Sequence, residues 1–390
     1  MWWEAIALVV GLAGLAIGLA LGVPVWVSLR SARHLGDTRT GIDFPAADAP
    51  CISVIVPACN EAAMIRPCLA SLIAQDHPNL EIIAVNDRST DDTGPIMDAV
   101  AAEHARVRVL HVADLPDGWI GKNHANQVGA AVARGEWLLF TDGDIVFEPD
   151  AVRLGLAHVL NENLDHLALF PGMTRGGYWE AAAICFFGCL FVAKCKSWLI
   201  RDPNHPDSFC GVGAFNLVRA AAYQAIGGHG RLALEVCDDM KLGKLLKRAG
   251  FVSDIMSGAP KIRVRWHVGL RGVITGLEKN GFAGTDYSLP RALYGVAMLT
   301  FLGVVPVLGI VLVPPWIKPV YGAWLASGVG MLAAAAPPDR SRLAIGLSYP
   351  LMCLALGYAV ARSTFLTLAR GGIYWRGTFY PLTRLRAGVV

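Results

Sequence analysis

The sequence has little charge and no marked excess of either sign. Only 17% of its 390 residues are charged, and 34 basic against 31 acidic side chains leave a formal net charge of +3. So small an excess indicates no nucleic-acid partner, which would require a strongly basic surface. Hydrophobic residues make up 54% of the chain and its mean hydropathy is +0.45. This is too apolar for an ordinary soluble protein of this length, so the shortage of charge indicates a membrane protein.

The sequence also lacks any pair of cysteines with the spacing of a zinc knuckle. Its nine cysteines are Cys51, Cys59, Cys68, Cys185, Cys189, Cys195, Cys210, Cys237 and Cys353. Most of them lie in apolar runs, so we expect free, buried thiols in a reducing compartment rather than disulfides.

No charged residue occurs between Ala5 and Leu29. About 20 apolar residues in a helix cross the hydrocarbon core of a bilayer, so residues 1–30 are predicted to form a transmembrane helix. A cleavable signal peptide would have a basic start, whereas this chain begins MWWE, and tryptophan suits a membrane interface. Three arginines follow the apolar stretch: Arg30, Arg33 and Arg39. By the positive-inside rule they place the next domain in the cytoplasm.

The last third of the chain contains three further apolar segments, separated by proline pairs. They run over Leu293–Val313, Val320–Ala336 and Leu343–Leu368. We expect about three transmembrane helices within residues 290–370, followed by a basic tail over residues 371–390. Three full crossings would leave the tail outside, whereas its arginines favour the cytoplasmic side. The alternative is that one segment is re-entrant or only grazes the bilayer.

A shorter apolar stretch, Ala181–Ala193, is followed by Lys194, Lys196 and Trp198. It is too short to span a bilayer. Two interpretations have equal weight: a helix lying at the membrane surface over residues 180–200, or a buried core helix.

The middle of the chain alternates between strand-like and helix-like segments. The predicted strands are Ile52–Val56, Leu80–Val85, Val107–Val109 and Trp137–Phe140, and the predicted helices are Glu61–Ala74, Lys122–Ala133 and Met240–Ala249. This alternation is typical of an α/β domain with a parallel sheet and helices on both faces. Such sheets bind ligands at the carboxyl ends of their strands, where polar clusters occur in this sequence.

Asp142 and Asp144 come directly after the fourth predicted strand. Two positions apart in an extended segment, they point to the same side, and carboxylate oxygens suit Mg²⁺ or Mn²⁺ shared with substrate phosphates. Such an ion would stabilise the charge that develops on a departing diphosphate. The alternative is a solvated turn, because Asp and Gly are common in turns.

Three other carboxylates stand at ends of predicted elements. Asp87 ends the second strand and could accept hydrogen bonds from a base or ribose, or could be a turn residue. Asp238 and Asp239 precede the helix Met240–Ala249, where negative charge is stabilised, so they could be a plain helix cap. Alternatively one of them is the general base for an acceptor hydroxyl, and an inverting transfer needs one such base.

In their order along the chain, these segments resemble the landmarks of the GT-A fold in family 2 glycosyltransferases. The landmarks are Val56–Glu61, Val85–Thr93, Gly121–Asn126, Phe140–Asp144, the acceptor-side loop Phe209–Gly213, Asp238-Asp239 and Arg265-Trp266. The resemblance covers Ile52 to Ala283. It implies a cytoplasmic GT-A domain with a mainly parallel sheet over residues 48–285, between N-terminal and C-terminal transmembrane helices.

The resemblance implies a role for each matching residue. Pro57, Glu61 and Asp87 would hold the uridine, Asn60 and Lys122 would also bind substrate, and Asp142 would contact the ribose or the diphosphate. Asp144, together with Asp142, would ligate Mg²⁺ or Mn²⁺. Asp239 would be the catalytic base with Asp238 before it, and Arg265 and Trp266 would close over diphosphate and acceptor. Cys237 and Asp238 stand where the family has Thr-Glu, so the choice of base between the two aspartates stays open.

Two further likenesses bear on the substrate. The segment Leu115–Lys122 and the tail motif Tyr374–Thr378 resemble bacterial transferases associated with hopanoid and carotenoid glycosylation, and the layout resembles ceramide glucosyltransferase. We therefore expect an inverting, metal-dependent, non-processive transfer from a UDP-sugar to the hydroxyl of a membrane lipid, by a multi-pass protein of a bacterial inner membrane. One alternative is a processive polysaccharide synthase, disfavoured because Ile262 replaces its usual Gln. The other is a non-catalytic membrane protein that binds a nucleotide sugar.

Overall fold

The structure is a computed structural model that describes residues 2–30, 32–38, 48–174, 176–338 and 341–390. Arg39, used in the positive-inside argument, lies outside the described residues. The chain divides into two compact units. The sheet unit comprises Arg33–Thr174, Leu199–Arg265 and Tyr374–Val390, and the helical unit comprises Met1–Ala32, Arg175–Trp198 and Trp266–Ile373.

Strands and helices are numbered in chain order. The strands are β1 (Ile52–Ala58), β2 (Leu80–Asp87), β3 (Val107–Val112), β4 (Trp137–Phe140), β5 (Val146–Phe147), β6 (His166–Phe170), β7 (Gly172–Met173), β8 (Asn216–Arg219), β9 (Ser253–Ser257), β10 (Ile262–Val264), β11 (Gly372–Trp375) and β12 (Thr378–Pro381). The helices are α1 (Trp2–Arg30), α2 (Ile65–Ile73), α3 (Thr93–Glu103), α4 (Gly121–Val132), α5 (Ala151–Asn161), α6 (Tyr178–Cys195), α7 (Ala220–Ala225), α8 (Asp238–Arg248), α9 (Gly269–Gly276), α10 (Asn280–Ala283), α11 (Leu289–Leu312), α12 (Lys318–Ala335), α13 (Arg342–Leu347), α14 (Tyr349–Arg370) and α15 (Leu382–Ala387). Every strand and helix predicted for the middle of the chain has a counterpart, with ends that differ by a few residues.

Seven strands of the sheet unit form one sheet in the order β3-β2-β1-β4-β8-β6-β9. Neighbouring strands are parallel, except that β8 is antiparallel to both β4 and β6. Every residue of β1 is buried, as is typical of a parallel strand covered on both faces. The mainly parallel α/β sheet is therefore confirmed, and β8 makes it mixed.

The register of the central strands brings the predicted site to one edge. Ile52 of β1 lies opposite Leu80 of β2 on one side and Trp137 of β4 on the other. Because the three strands run in parallel, their carboxyl ends meet at the same edge of the sheet. Asp87 ends β2 at this edge, and the turn with Asp142 follows β4 there.

Close packing holds two further helices in place around this edge. On α4, Gly129 lies so near β1 that a Cβ would be 2.6 Å from Ile55 Cγ2. On α8, Leu242 and Leu246 lie one turn apart and are buried with Ile55 and Phe140 in one apolar cluster. These contacts fix the first turns of α4 and α8, which carry Lys122 and the two aspartates Asp238 and Asp239.

The helical unit contains the apolar stretches. Four of them, among the described residues, are long and apolar enough to cross a membrane: Trp2–Arg30, Tyr178–Leu199, Leu289–Leu312 and Tyr349–Arg370. Within this unit α1 packs against α12, where a Cβ on Gly14 would lie 2.4 Å from the ring of Trp324. A glycine at such a contact lets two apolar helices approach closely.

Two helical segments differ from the sequence prediction. The last segment, Leu343–Leu368, consists of α13 and α14, which meet at Ser348. Pro350 lies in the first turn of α14. Proline is tolerated there because N–H groups of the first turn have no hydrogen-bond partner within the helix. The stretch Ala181–Ala193 was predicted to be too short to span. That prediction was wrong, because the stretch lies within a longer segment, Tyr178–Leu199, which is long and apolar enough to cross a membrane.

The sheet unit differs in extent from the predicted domain over residues 48–285. It begins at Arg33, whose Nη2 donates to both oxygens of Asp254 at 2.7 Å. It ends its second stretch at Arg265 and resumes at Tyr374. Contacts between residues far apart in sequence decide these boundaries, so they are not visible in the hydropathy pattern.

Candidate active site

The carboxyl ends of β1 and β4 border the candidate site. Gly143 lies between the two aspartates that follow β4, and a Cβ there would be 3.4 Å from Ala58 Cβ and 3.6 Å from the carbonyl oxygen of Pro57. Pro57 is buried near the end of β1. The end of β1, where uridine was predicted to bind, therefore lies against the acidic turn.

Lys122, in the first turn of α4, connects three of the predicted acidic residues. Its Nζ is 2.7 Å from Asp142 Oδ1 and 3.8 Å from Asp238 Oδ1. Burial opposes the charge of Lys122, but the carboxylates of Asp142, Asp238 and Asp239 prevail and raise its pKa. Lys122 is therefore positively charged at neutral pH and offers a cation to an anionic ligand.

Asp238 and Asp239 both begin α8, but their side chains have different surroundings. Asp238 is buried, with 4% of its surface exposed, and faces Lys122. Asp239 is half-buried, and its Oδ2 accepts a hydrogen bond from the Gly213 N–H at 2.8 Å. Asp239 is therefore the more accessible of the two. Accessibility matters because a general base must be within reach of the proton that it takes.

The loop Phe209–Gly213 lies with its backbone directly against this cluster. A Cβ on Gly213 would be 2.6 Å from Asp142 Oδ2, and one on Gly211 would be 1.8 Å from the carbonyl oxygen of Asp239. The N–H of Asp142 donates to the carbonyl oxygen of Gly213 at 3.0 Å. Glycine at both positions thus lets one loop connect the acidic turn after β4 with the start of α8.

Asp144 lies in a concentration of negative charge. Burial, together with the nearby charges of Asp142 and Glu61, raises the pKa of its carboxyl to about 7. Among the described residues, no group of three or more His, Cys, Asp or Glu side chains could hold a metal ion. Mg²⁺ is usually held by one or two carboxylates and substrate phosphates. Asp144 and Asp142 therefore fit a metal shared with a diphosphate, rather than a site built of protein ligands alone.

Asn60 and Glu61 follow β1 and contact the loop after β2. Asn60 has φ 55, a conformation that is uncommon for residues other than glycine, and its Oδ1 accepts the Thr90 N–H at 2.8 Å. The Glu61 N–H donates to Thr93 Oγ1 at 2.8 Å, and the Glu61 carboxylate is paired with Arg376. The Asn60 side chain thus orders a loop, while Glu61 adds negative charge near Asp144.

Asp87 is buried at the end of β2 and is engaged by its neighbour. Arg88 donates from Nε to Oδ1 at 2.8 Å and from Nη2 to Oδ2 at 3.1 Å. Arg88 also has a positive φ, 54°, which turns the chain sharply after the strand. A nucleoside at this edge would therefore meet an Asp87–Arg88 pair rather than a lone carboxylate.

The last two predicted residues, Arg265 and Trp266, fall in different compact units. Arg265 is exposed and ends the second stretch of the sheet unit. Trp266 belongs to the helical unit, where its ring centroid is 4.7 Å from that of Phe187 and 4.6 Å from that of His267. Their closure over diphosphate and acceptor stays a prediction.

Sequence analysis missed four residues that contact this edge of the sheet: Arg88, Arg376, Thr378 and Tyr380. The motif Tyr374–Thr378 was used only as a likeness to a group of transferases. The residues around this turn do not indicate which part of the chain it contacts. The signal that could have pointed to Arg376 and Thr378 was the likeness of the motif Tyr374–Thr378 itself.

Part of the sheet unit is similar in sequence to known glycosyltransferases. Residues 53–224 match the sequence model described as "Glycosyl transferase family 2". The glycosyltransferase GlyG of Streptococcus pneumoniae is 33% identical over 114 residues, 29% of this chain and 36% of that protein. The uncharacterized glycosyltransferase EpsJ of Bacillus subtilis is 39% identical over 95 residues, 24% of this chain and 26% of that protein. The matched region thus spans about a third or less of the length of these relatives.

A solved structure resembles the chain over most of its length. The mannosyltransferase PcManGT from Pyrobaculum calidifontis, in complex with GDP-Man and Mn²⁺, aligns with a TM-score of 0.56 at 18% identity. The alignment covers 93% of this chain and 99% of that one. At this identity the likeness concerns the fold, and it confirms the predicted GT-A architecture.

Proposed function

Because residues 53–224 belong to glycosyltransferase family 2, we propose that the protein is an inverting, metal-dependent and non-processive glycosyltransferase. The donor is a UDP-sugar and the acceptor is the hydroxyl of a membrane lipid of the ceramide, hopanoid or isoprenoid type. One observation carries the proposal: Lys122 contacts Asp142 and Asp238, with Asp239 and Asp144 beside them at the carboxyl edge of the sheet.

In the proposed reaction Asp239 is the general base. The acceptor oxygen attacks C1 of the sugar from the face opposite the diphosphate, and its proton passes to the Asp239 carboxylate. The bond between C1 and the diphosphate oxygen breaks, and its electron pair leaves with UDP. The Gly213 N–H donates to Asp239 Oδ2 at 2.8 Å and the Met240 N–H donates to Oδ1 at 2.7 Å, and together they orient the carboxylate. Each oxygen has a second lone pair, and one of these takes the proton.

Lys122 and the acidic turn act on the donor side. The ammonium of Lys122 stays charged and supplies a hydrogen-bond donor to the diphosphate. Asp144 and Asp142 would hold Mg²⁺ or Mn²⁺, which, when bound, stabilises the negative charge of the departing diphosphate. The raised pKa of Asp144 supports this assignment, because a carboxylate crowded by other carboxylates gains most from a cation.

The apolar helices support a lipid acceptor. β6 precedes α6 and β8 follows it, and both strands lie in one sheet. This supports a chain that leaves and rejoins the same side of a membrane. We therefore propose a surface or re-entrant helix over residues 180–200 rather than a single crossing by α6, although its length would permit a span.

The same reasoning applies to the C-terminal helices. Arg265 and Tyr374 both belong to the sheet unit, which supports an even number of crossings between them. Of the long helices described in that stretch, α11 and α14 are apolar enough to cross. We propose three crossings, at α1, α11 and α14, with the sheet unit on the cytoplasmic side by the positive-inside rule.

The test of function uses purified full-length protein with radiolabelled UDP-sugars and a total lipid extract. Label should enter the organic-extractable fraction, only in the presence of Mg²⁺ or Mn²⁺, and EDTA should prevent it. Asp239→Asn should reduce turnover by roughly 10²-fold or more, because general bases contribute about 10²–10⁴-fold, while UDP still binds. Asp98→Asn, at an exposed side chain of α3 that pairs with His111, is the matched control. Label confined to a water-soluble polymer would reject the lipid acceptor and favour the processive alternative. A wild-type protein that binds UDP-sugar without transferring it to lipid or polymer would favour the binding-protein alternative.

A further inference from the structure

The chain after the helical unit, Tyr374–Val390, belongs to the sheet unit and is called here the C-terminal segment. It contains the second half of β11 and all of β12, and the two strands pair around a two-residue turn formed by Arg376 and Gly377. Both turn residues have positive φ, 48° and 79°, as tight hairpin turns of this class require. Glycine adopts this conformation readily, whereas arginine does so at a cost. A contact that requires the guanidinium of Arg376 would explain why arginine occupies this position of the turn.

Three residues anchor the C-terminal segment to the carboxyl edge of the sheet through four hydrogen bonds. The Arg376 guanidinium donates to the Glu61 carboxylate and, at 3.4 Å, to the Asn60 carbonyl oxygen. Thr378 Oγ1 accepts a hydrogen bond from Arg88 Nη1 at 3.4 Å. Tyr380 accepts one from the Gly121 N–H at 3.3 Å. The partners are the ends of β1 and β2 and the first residue of α4, which are the elements that carry the donor-site residues.

The C-terminal segment also forms one wall of a cavity of about 380 Å³. The loop Ala113–Trp119, Leu234 and Arg88 also line this cavity. Ligand pockets commonly have volumes of about 300–1,000 Å³. The C-terminal segment therefore lines a cavity of ligand size together with Arg88, the partner of Asp87.

The charges of the site explain what Arg376 could bind. Among the described residues, carboxylates predominate at this edge. Lys122 already contacts Asp142 and Asp238, and Arg88 pairs with Asp87. Arg376 is 45% exposed and pairs with Glu61, whose charge also acts on Asp144. A guanidinium has five N–H donors, so Arg376 can keep Glu61 and still donate to an anionic group of a ligand bound beside Asp144.

We propose that Arg376 is a donor-binding residue whose guanidinium bridges the Glu61 carboxylate and the diphosphate of the nucleotide sugar. This inference rests on the proposed function, because it assigns a further contact to the same donor site. It makes the C-terminal segment a part of that site, although the segment follows the last apolar helix.

The experiment measures nucleotide binding to full-length protein in detergent with Mn²⁺ present. For Arg376→Ala and Arg376→Gln we expect the Kd for UDP to rise roughly 10- to 100-fold, as for loss of a charge-assisted hydrogen bond to phosphate. Arg376→Lys, which keeps the charge without the planar fork, should lie between these variants and wild type. The Kd for uridine, followed by ligand-observed NMR, should change less than about threefold, because uridine has no phosphate to lose that bond. Arg386→Ala, an exposed arginine of the same segment, is the matched control and should bind UDP like wild type.

The outcomes separate the inference from the function on which it rests. Wild-type affinity of Arg376→Gln for UDP would overturn the inference and leave the proposed function intact. An equal loss of UDP and uridine binding would also overturn it, because the residue would then act on the nucleoside or on folding. If wild type itself binds no UDP and transfers no sugar, the proposed function fails first.

Discussion

Replacing Asp254 by asparagine tests how the sheet unit is held together where two chain segments enter it. Asp254, in β9, accepts two hydrogen bonds from Arg33 at 2.7 Å, one from Arg201 at 2.6 Å, and a contact from His158 Nε2 at 2.8 Å. Arg33 is the first residue of the sheet unit, and Arg201 is the third residue of its second stretch. The side chain of Asp254 is 4% exposed, so the charge on this carboxylate is held by its partners rather than by water.

The magnitude follows from the pKa of Asp254. Burial alone would raise it, but hydrogen bonds from His158 and Arg201 and the charges of Arg33 and Arg201 prevail and lower it from 3.8 to about 2. At 1.36 kcal/mol per pKa unit this difference stabilises the folded state by about 2 kcal/mol at neutral pH. Because the folded pKa is the lower one, this stability is present above pH 4 and is lost as the pH falls towards 2. At pH 7 the Asp254→Asn variant should lose at least this much free energy of unfolding. The loss should be larger than this because Arg33 and Arg201 would no longer have a carboxylate to pair with.

Thermal unfolding in detergent, followed by circular dichroism, measures this loss. A loss of about 2 kcal/mol lowers Tm by roughly 4–8 °C in a domain of this size. The control Asp98→Asn removes a carboxylate that is 57% exposed and lies 3.0 Å from His111 Nε2, and its Tm should stay within about 2 °C of wild type. The affinity for UDP should change in neither variant. Equal melting temperatures for the two variants would refute the assignment of Asp254 as a stabilising ion-pair centre.

Two further predictions concern the site and the topology. Gly213→Ala would place a Cβ 2.6 Å from Asp142 Oδ2, so turnover should fall by roughly 10-fold or more, whereas Gly230→Ala, with open space around it, should be neutral. Turnover that is unchanged in Gly213→Ala would show that the loop is not held against the acidic turn. Cysteine accessibility in sealed vesicles should place the C-terminal segment on the same side as the residues of the sheet unit, because both belong to one compact unit. Labelling of the segment from the opposite side would contradict three crossings.

The ends of the strands and helices that carry the predicted site residues were predictable from sequence where each residue follows a strong local pattern. Asp142 and Asp144 follow a short apolar strand, and Asp238 and Asp239 precede an amphipathic helix. Such patterns predict element ends, and the parallel arrangement then brings those ends together. Lys122 was implied only by the family resemblance, yet the structure places it at the centre of the cluster, 2.7 Å from Asp142.

Other features of the site carry no such pattern. Asp87 was expected to face the uridine, but the fold pairs it with Arg88, and a positive φ at Arg88 is not visible in the sequence. Arg376 and Glu61 are 315 positions apart. Side-chain periodicity extends over one helix or strand, so it holds no information about a contact at such a separation.

The sequence by itself determined that the chain combines long apolar stretches with an α/β domain, because hydropathy and periodicity are local properties. It also determined the order of the motifs that resemble the landmarks of family 2 glycosyltransferases. Only the tertiary structure decided that β8 enters the sheet antiparallel, that β6 and β8, on either side of α6 in the sequence, pair in one sheet, and that the C-terminal segment belongs to the sheet unit. These features depend on which distant strands and loops pair, and the free energy of that pairing arises from the packing of the whole unit.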